Sequence, residues 1–90
     1  MLRLVWAESS WEDYQSLLEN DKRAVKKINS FIKELRRTGN PANGEGSPEP
    51  LKGDRSGWWS RRINEKDRLV YQITNDSLII AQCHGHYNDK

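Results

Sequence analysis

The sequence has little of what builds a disulfide-bonded scaffold or a membrane protein. Cys83 is the only cysteine in 90 residues, so no disulfide can form within the chain. No apolar run approaches the roughly 18 residues that a membrane span requires. The apolar stretch at the N-terminus is also too short for a secretory signal. We therefore expect a cytoplasmic protein that does not enter a membrane.

Apolar residues are scarce as well, at 34% of the chain. Disorder, however, also requires a high net charge, and the formal net charge is only +2. Four tryptophans and three tyrosines supply large side chains for a core. Since a domain takes roughly 100–200 residues, the length allows one domain and excludes a Rossmann fold or a barrel. We expect a single domain over residues 1–90, with 88–90 as a short tail.

Charge is unevenly distributed along the chain. Residues 21–38 carry seven Lys and Arg against two acidic residues, and residues 51–74 carry six against three. Between them, the segment 39–50 has two glutamates and no basic residue. Two basic blocks favour a surface that binds a polyanion, because Lys and Arg neutralise phosphates and release counterions. A solvated basic helix would give the same pattern, so charge alone leaves both interpretations open.

The first half of the sequence predicts one strand and two helices. Apolar residues alternate over 2–6, which is typical of a strand. Ser9–Glu12 matches a capping box and predicts a first helix to about Glu19. Asn20 or Asp21 is expected to cap a second helix, which Gly39 ends before a Gly/Pro loop over 39–50. The side chains expected to face inward are Tyr14, Leu17 and Leu18 on the first helix and Ala24, Val25, Ile28, Phe31, Ile32 and Leu35 on the second.

The second half predicts three strands joined by hairpin-length turns. Their approximate bounds are Trp58–Asn64, Arg68–Thr74 and Ser77–Cys83. The order β-α-α-β-β-β predicts an α+β fold, with an antiparallel sheet and two helices packed on one of its faces. The last strand is apolar on both sides and is therefore expected at the centre of the sheet.

Alternation along these strands separates a core face from a polar face. The residues expected on the core face are Trp59, Ile63, Leu69, Tyr71 and Ile73. Those expected on the opposite face are Trp58, Ser60, Arg62, Arg68, Val70 and Gln72. Two arginines make the second face too polar for a core, so it is the better candidate for a binding surface.

Chemically versatile side chains are concentrated after residue 48. They are Glu49, Lys52, Arg55, Arg61, Arg62, Arg68, His84, His86 and Tyr87. A base, an acid and several cations suffice for RNA cleavage without a metal, in which a ribose 2′-OH attacks the adjacent phosphorus. Histidine suits the acid or base role because its ordinary pKa, about 6.5, lies near neutrality.

Each of these residues also has a purely structural interpretation. Glu49 could be a solvated loop carboxylate. Arg62 and Arg68 could pair with Glu65 or Asp67 on the sheet surface. Trp58 could cover a sheet edge, and the two residues His86-Tyr87 could be frayed.

A metal site is the weaker interpretation of the C-terminal cluster. Cys83, His84 and His86 lack a fourth ligand at a recognisable spacing, so we expect no metal and no other cofactor. The chain also has no P-loop, no G-x-S-x-G and no H-E-x-x-H motif. The residues alone thus indicate an α+β RNA-binding domain with the groups of a ribonuclease.

Several motifs in this order resemble the YoeB/Txe toxins, a branch of the RelE-type ribosome-dependent mRNA interferases. They are S-W-E-D-Y at 10–14, D-K-R-A-V-K-K-I-N at 21–29, P-E-P-L-K at 48–52, S-G-W-W-S-R-R-I at 56–63, R-L-V-Y at 68–71 and H-Y at 86–87. The resemblance covers nearly the whole chain. It implies a small RelE-like fold that enters the ribosomal A site and cleaves the bound mRNA.

The resemblance also implies a role for each site residue. Glu49 would be the general base, Arg68 would stabilise charge on the phosphorane, and His86 would be the general acid. Tyr87 would orient the scissile nucleotide. The resemblance also implies that Lys52 and Arg62 would hold phosphate. The role of Trp58 does not come from the resemblance: an aromatic side chain on this face could stack on a base.

The partners implied are mRNA, the ribosome and a YefM-like antitoxin whose C-terminal segment wraps the toxin, and some family members are homodimers. Three features depart from the family pattern, the first being that residues 88–90 extend past the usual ending, so that Tyr87 is not terminal. The loop 39–47 is longer than usual, and His84-Gly85 replaces an arginine followed by an aromatic residue. Two other functions remain: a non-catalytic RNA- or ribosome-binding module, and a degenerate toxin that only binds antitoxin.

Overall fold

The computed structural model describes residues 1–84, which form two α-helices and a five-stranded sheet. The elements are β1 (Arg3–Trp6), α1 (Glu8–Asn20), α2 (Lys22–Thr38), β2 (Glu49–Pro50), a 3₁₀ turn (Gly53–Arg55), β3 (Trp59–Arg62), β4 (Arg68–Ile73) and β5 (Ser77–Gln82). The predicted α+β class is confirmed. The two residues of β2, at the end of the predicted Gly/Pro loop, form a strand that the sequence did not reveal.

Helix α2 follows its sequence prediction closely. The carboxylate of Asp21 caps it by accepting from the backbone N–H of Ala24 at 3.1 Å. Gly39 ends it in the left-handed region at φ +67°, where its N–H donates to the Leu35 carbonyl. All six residues of the predicted apolar stripe are buried. This stripe forms the helical side of the core.

The start of α1 differs from the prediction. The helix begins at Glu8 after Ala7, without a side-chain cap, so the prediction of a capping box at Ser9–Glu12 is wrong. Instead, the buried hydroxyl of Ser10 reaches the carbonyls of Ala7 (2.9 Å) and Ile80 (2.7 Å), which anchors α1 to the sheet. Leu17 is buried as expected, whereas Leu18 is 44% exposed. Adjacent helical residues lie about 100° apart, and the sheet covers only one of these two directions.

The strands follow the spatial order β1-β5-β4-β3-β2. The strand β5 lies inside the sheet, as its two apolar faces predicted. It pairs antiparallel with β4 but parallel with β1. The sheet is therefore mixed, and the expectation of a wholly antiparallel sheet is wrong for β1. Parallel neighbours require a long crossover connection, which begins here with α1 and α2.

The two faces of the sheet have the predicted characters. Leu69 and Tyr71 are buried against the helices with Ile63, while Trp59 and Ile73 pack on this core at partial exposure. We call the opposite side of the sheet the distal face. Its paired positions include Glu49 opposite Ser60, Ser60 opposite Val70, Val70 opposite Gln82, and Arg62 opposite Arg68. No helix within residues 1–84 is long and apolar enough to cross a membrane.

Candidate active site

A carboxylate and a guanidinium meet on the distal face. The short strand β2 places Glu49 opposite Ser60, and Arg68 begins β4 two strands away. Glu49 Oε1 lies 3.7 Å from Arg68 Nη1. The Glu49 side chain is 52% exposed and that of Arg68 16% exposed. The pair thus offers an accessible proton acceptor beside a cation that its surroundings hold in place.

Ser60 contacts the Arg68 side of this pair, and it was not identified as a functional residue from the sequence. It is fully buried in β3, and its Oγ accepts a 3.3 Å hydrogen bond from Arg68 Nη1. Alternation had placed Ser60 on the same face as Arg68, which was the available signal. Because this buried hydroxyl bonds Nη1, it restricts the directions that the guanidinium can take.

Two of the candidate binding residues lie next to the pair, and the third lines a separate pocket. Lys52 is exposed and lines a depression of about 310 Å³ together with Glu49. Arg62 is exposed and lies directly opposite Arg68 in the register of β3 and β4. Trp58 is half-buried and lines a shallow pocket of about 190 Å³, whose other walls are Asp54, Arg55, Val70, Ala81 and Gln82. Two exposed cations therefore adjoin the ion pair, while Trp58 offers an aromatic ring in its own pocket.

A contact between an imidazole and a carboxylate lies at the same end of β4 as Arg68. His84 Nδ1 lies 2.9 Å from Oδ1 of Asp67, whose carboxylate is fully buried. His84 itself is about half exposed and is the last residue that the structure describes. His86 and Tyr87, two of the predicted site residues, lie outside the described residues. The part of the site that the structure brings together is therefore Glu49, Arg68 and their neighbours.

The sequence matches a family model described as YoeB-like toxin of bacterial type II toxin-antitoxin system, over residues 6–87. The chain belongs to this family. It is 58% identical to the toxin YoeB of Escherichia coli K12 over 86 residues, which are 96% of this chain and 100% of that relative. The predicted family is thus confirmed, and the chain is a YoeB-like toxin.

Solved YoeB structures share the fold. The YoeB dimer from Staphylococcus aureus superposes with a TM-score of 0.88 at 42% identity, covering 96% of this chain and 98% of that one. The YoeB–YefM complex from the same organism gives 0.86 at 40% identity, covering 97% and 99%. The α+β architecture of this chain is therefore that of YoeB toxins.

In this YoeB-like toxin the long loop between α2 and β2 is anchored by a buried arginine. Arg61 has no exposed surface, and its Nη1 donates to Glu34 Oε1 at 2.9 Å and to the carbonyl of Glu45 at 3.3 Å. Its Nη2 donates to the carbonyl of Asn43. The hydroxyl of Tyr71 donates to the carbonyl of Pro41 at 2.7 Å. These bonds fix the loop up to Glu45, four residues before Glu49, and so help to place the carboxylate.

Cys83 of this YoeB-like toxin is a structural residue. Its thiol is fully buried and donates to the carbonyl of Ser10 at 3.5 Å. Burial, followed by the nearby charges of Asp13 and Asp67, raises its pKa to about 12. Metal binding requires the thiolate, which this setting disfavours. Within residues 1–84 no three His, Cys, Asp or Glu side chains are grouped so as to hold a metal ion.

Proposed function

We propose that this YoeB-like toxin is a ribosome-dependent endoribonuclease that cleaves mRNA in the A site and so inhibits translation. The observation that supports this most directly is the 3.7 Å approach of Glu49 Oε1 to Arg68 Nη1 on the accessible distal face. A carboxylate can take a proton there, and the adjacent guanidinium can stabilise negative charge that develops on phosphate.

The proposed reaction begins when Glu49 takes the proton of a ribose 2′-OH. The 2′ oxygen then forms a bond to the adjacent phosphorus while the bond from phosphorus to the 5′ oxygen breaks. The imidazolium of His86 gives its proton to the departing 5′ oxygen. The products are a 2′,3′-cyclic phosphate and a 5′-hydroxyl end. Because side chains supply both proton transfers, the reaction needs no metal or other cofactor.

The remaining site residues hold the RNA in this proposal. Lys52 and Arg62 bind phosphate, and Tyr87 orients the scissile nucleotide. The exposed face of Trp58 stacks on a base, an interaction that contributes roughly 1–3 kcal/mol per base. A small domain can catalyse this reaction efficiently if the ribosome itself positions much of the substrate.

We also propose that the toxin acts in the cytoplasm and is held inactive by a YefM-like antitoxin. The S. aureus relative was solved in complex with YefM, and also as a YoeB dimer. A flexible antitoxin segment of acidic character would complement the basic surface and cover the distal face. We expect the free toxin to form the same kind of dimer.

The test is cleavage of mRNA on programmed ribosomes, with mapping of the new ends. Glu49→Gln should lower the single-turnover rate at least 100-fold, because a general base contributes about 10²–10⁴-fold. Glu45→Gln is the matched control, an exposed carboxylate of the same loop, and should leave the rate within about twofold. Equal rates for both variants would contradict the role of Glu49.

A non-catalytic RNA-binding module is the second candidate, and the pocket beside Trp58 favours it. It predicts that the wild-type protein arrests translation without producing any new mRNA end. A 2′,3′-cyclic phosphate at the upstream fragment would exclude this candidate. Absence of both cleavage and growth arrest would instead indicate a degenerate toxin that only binds antitoxin.

A further inference from the structure

The end of β5 is held by α1 up to the last described residues. The thiol of Cys83 donates to the carbonyl of Ser10, and the backbone N–H of Cys83 donates to the carboxylate of Asp13. The hydroxyl of Ser10 also reaches the Ile80 carbonyl. Three contacts within four residues therefore fix the path of the chain from residue 80 to residue 83 against this helix.

The turn before β4 holds the same segment from the other side. Asp67 Oδ1 lies 2.9 Å from His84 Nδ1, while its Oδ2 accepts a 3.0 Å hydrogen bond from the Asn64 side chain. The Asn64 amide oxygen in turn accepts from the backbone N–H of Asp67 at 2.8 Å. Both oxygens of this buried carboxylate are thus occupied, so its direction is set by the turn. The next residue along the chain is Arg68.

Two carboxylates lie near the imidazole of His84. Asp67 contacts the imidazole, Asp13 is close enough to attract it, and Glu12 adds a further negative charge beside Asp13. Burial raises the pKa of Asp13, while His84 and the Cys83 N–H lower it. His84 therefore contacts one carboxylate and lies within electrostatic range of a second. Histidine stands here where the family often has arginine.

We propose that Asp67 and His84 form a positioning pair for the cleavage reaction. The pair ties the residue before Arg68 to the point where the chain enters residues 85–90, which carry His86 and Tyr87. Because Asp67 directly precedes Arg68, holding its carboxylate fixes the start of β4 and so helps to place the Arg68 guanidinium, which lies 3.7 Å from Glu49. The inference rests on the proposed function.

The test compares kcat and KM on programmed ribosomes for His84→Gln and Asp67→Asn. Both should lower kcat about tenfold or more, as misplacement of a reacting group does, with KM within about twofold of wild type. His84→Arg should restore kcat to within about threefold, because the guanidinium can donate to the same carboxylate. Glu65→Gln, an exposed carboxylate of the same turn, is the control.

A second measurement tests the contact between His84 and Asp67 without relying on activity. The neutral imidazole of His84 should carry its proton on Nδ1, because that nitrogen faces the Asp67 carboxylate. Long-range ¹H–¹⁵N spectra report this tautomer, and the His84→Gln spectrum assigns the signal. The Nε2–H tautomer, or unchanged kcat in folded His84→Gln and Asp67→Asn, would overturn the proposal. Absence of cleavage by the wild type would instead overturn the proposed function, and this positioning role with it.

Discussion

The guanidinium of Arg61 donates from Nε to the hydroxyl of Tyr71 over 3.0 Å, at a place where neither residue has exposed surface. The same guanidinium lies 5.5 Å from the ring centre of Phe31 and 5.6 Å from that of Tyr71. A charge inside an apolar core is tolerated only when it is fully bonded. Arg61 meets this condition through four partners from three parts of the chain: Glu34 of α2, the Asn43 and Glu45 carbonyls of the loop, and Tyr71 of β4.

Arg61→Met should therefore lower the free energy of unfolding by about 3 kcal/mol, the lower end of the range for a broken buried ion pair. The lower end applies because Glu34, its partner, is 33% exposed. Arg62→Met removes the same kind of side chain from the exposed neighbouring position, and should change stability by less than about 0.5 kcal/mol. Urea unfolding measures both values, and a similar loss in the two variants would contradict the bonded role of Arg61.

Two glycines with positive φ differ in what surrounds them, which makes them a matched pair. A Cβ on Gly46 (φ +89°) would lie 2.7 Å from Phe31 Cζ, whereas one on Gly39 (φ +67°) meets nothing within 4 Å. Gly39→Ala should cost about 1 kcal/mol for the left-handed conformation alone. Gly46→Ala should cost about 3 kcal/mol, because crowding is added. If urea unfolding gives the same cost for both, the loop does not pack on Phe31 as described.

Ser60→Ala should slow mRNA cleavage without unfolding the protein. The hydroxyl holds Arg68 through one 3.3 Å bond, and loss of about 1 kcal/mol of transition-state stabilisation corresponds to roughly fivefold in rate. Ser56→Ala, at an exposed serine of the preceding turn, serves as the control. Single-turnover cleavage on ribosomes measures the difference. A Ser60→Ala rate equal to that of the control would show that Arg68 needs no such support.

Cys83 should react with iodoacetamide only when the protein unfolds. Its pKa is raised from 9.0 to about 12, so the folded thiol stays protonated where an unfolded one ionises. This group stabilises the fold fully below pH 9, and the contribution is lost as the pH rises from 9 to about 12. Mass spectrometry after labelling at pH 8, with and without urea, measures accessibility. Rapid labelling of the folded protein would contradict the buried environment.

Strongly periodic segments were predictable from the sequence. The six buried residues of α2 repeat with the helical period, and Gly39 was a clear stop signal. The central place of β5 followed from its apolar run over 78–81. Glu49 and Arg68 were named as site residues, and the structure brings them within 3.7 Å. Each of these predictions rests on a pattern or motif that is contained in a short stretch of neighbouring residues.

Features that depend on distant partners were not predictable. Alternation places Arg61 on the core face with Trp59, but a charged residue there is unexpected until its bond to Glu34, 27 residues away, is known. The strand β2 contains Pro50, which cannot donate to a ladder, so its two residues resembled a loop. Ser10 stood inside the predicted capping box Ser9–Glu12, although its hydroxyl bonds the carbonyl of Ile80, 70 residues later. Such contacts arise only when the whole chain has folded.

The parallel pairing of β1 with β5 has a consequence for the synthesis of the toxin. The first strand of the chain has no neighbour in the sheet until residues 77–82 have left the ribosome and inserted beside it. The core and the positions of Asp67 and Arg68 relative to α1 depend on that last strand. A nascent or prematurely terminated chain that lacks β5 leaves β1 unpaired and the core incomplete, so the activity that we propose requires synthesis through residue 82.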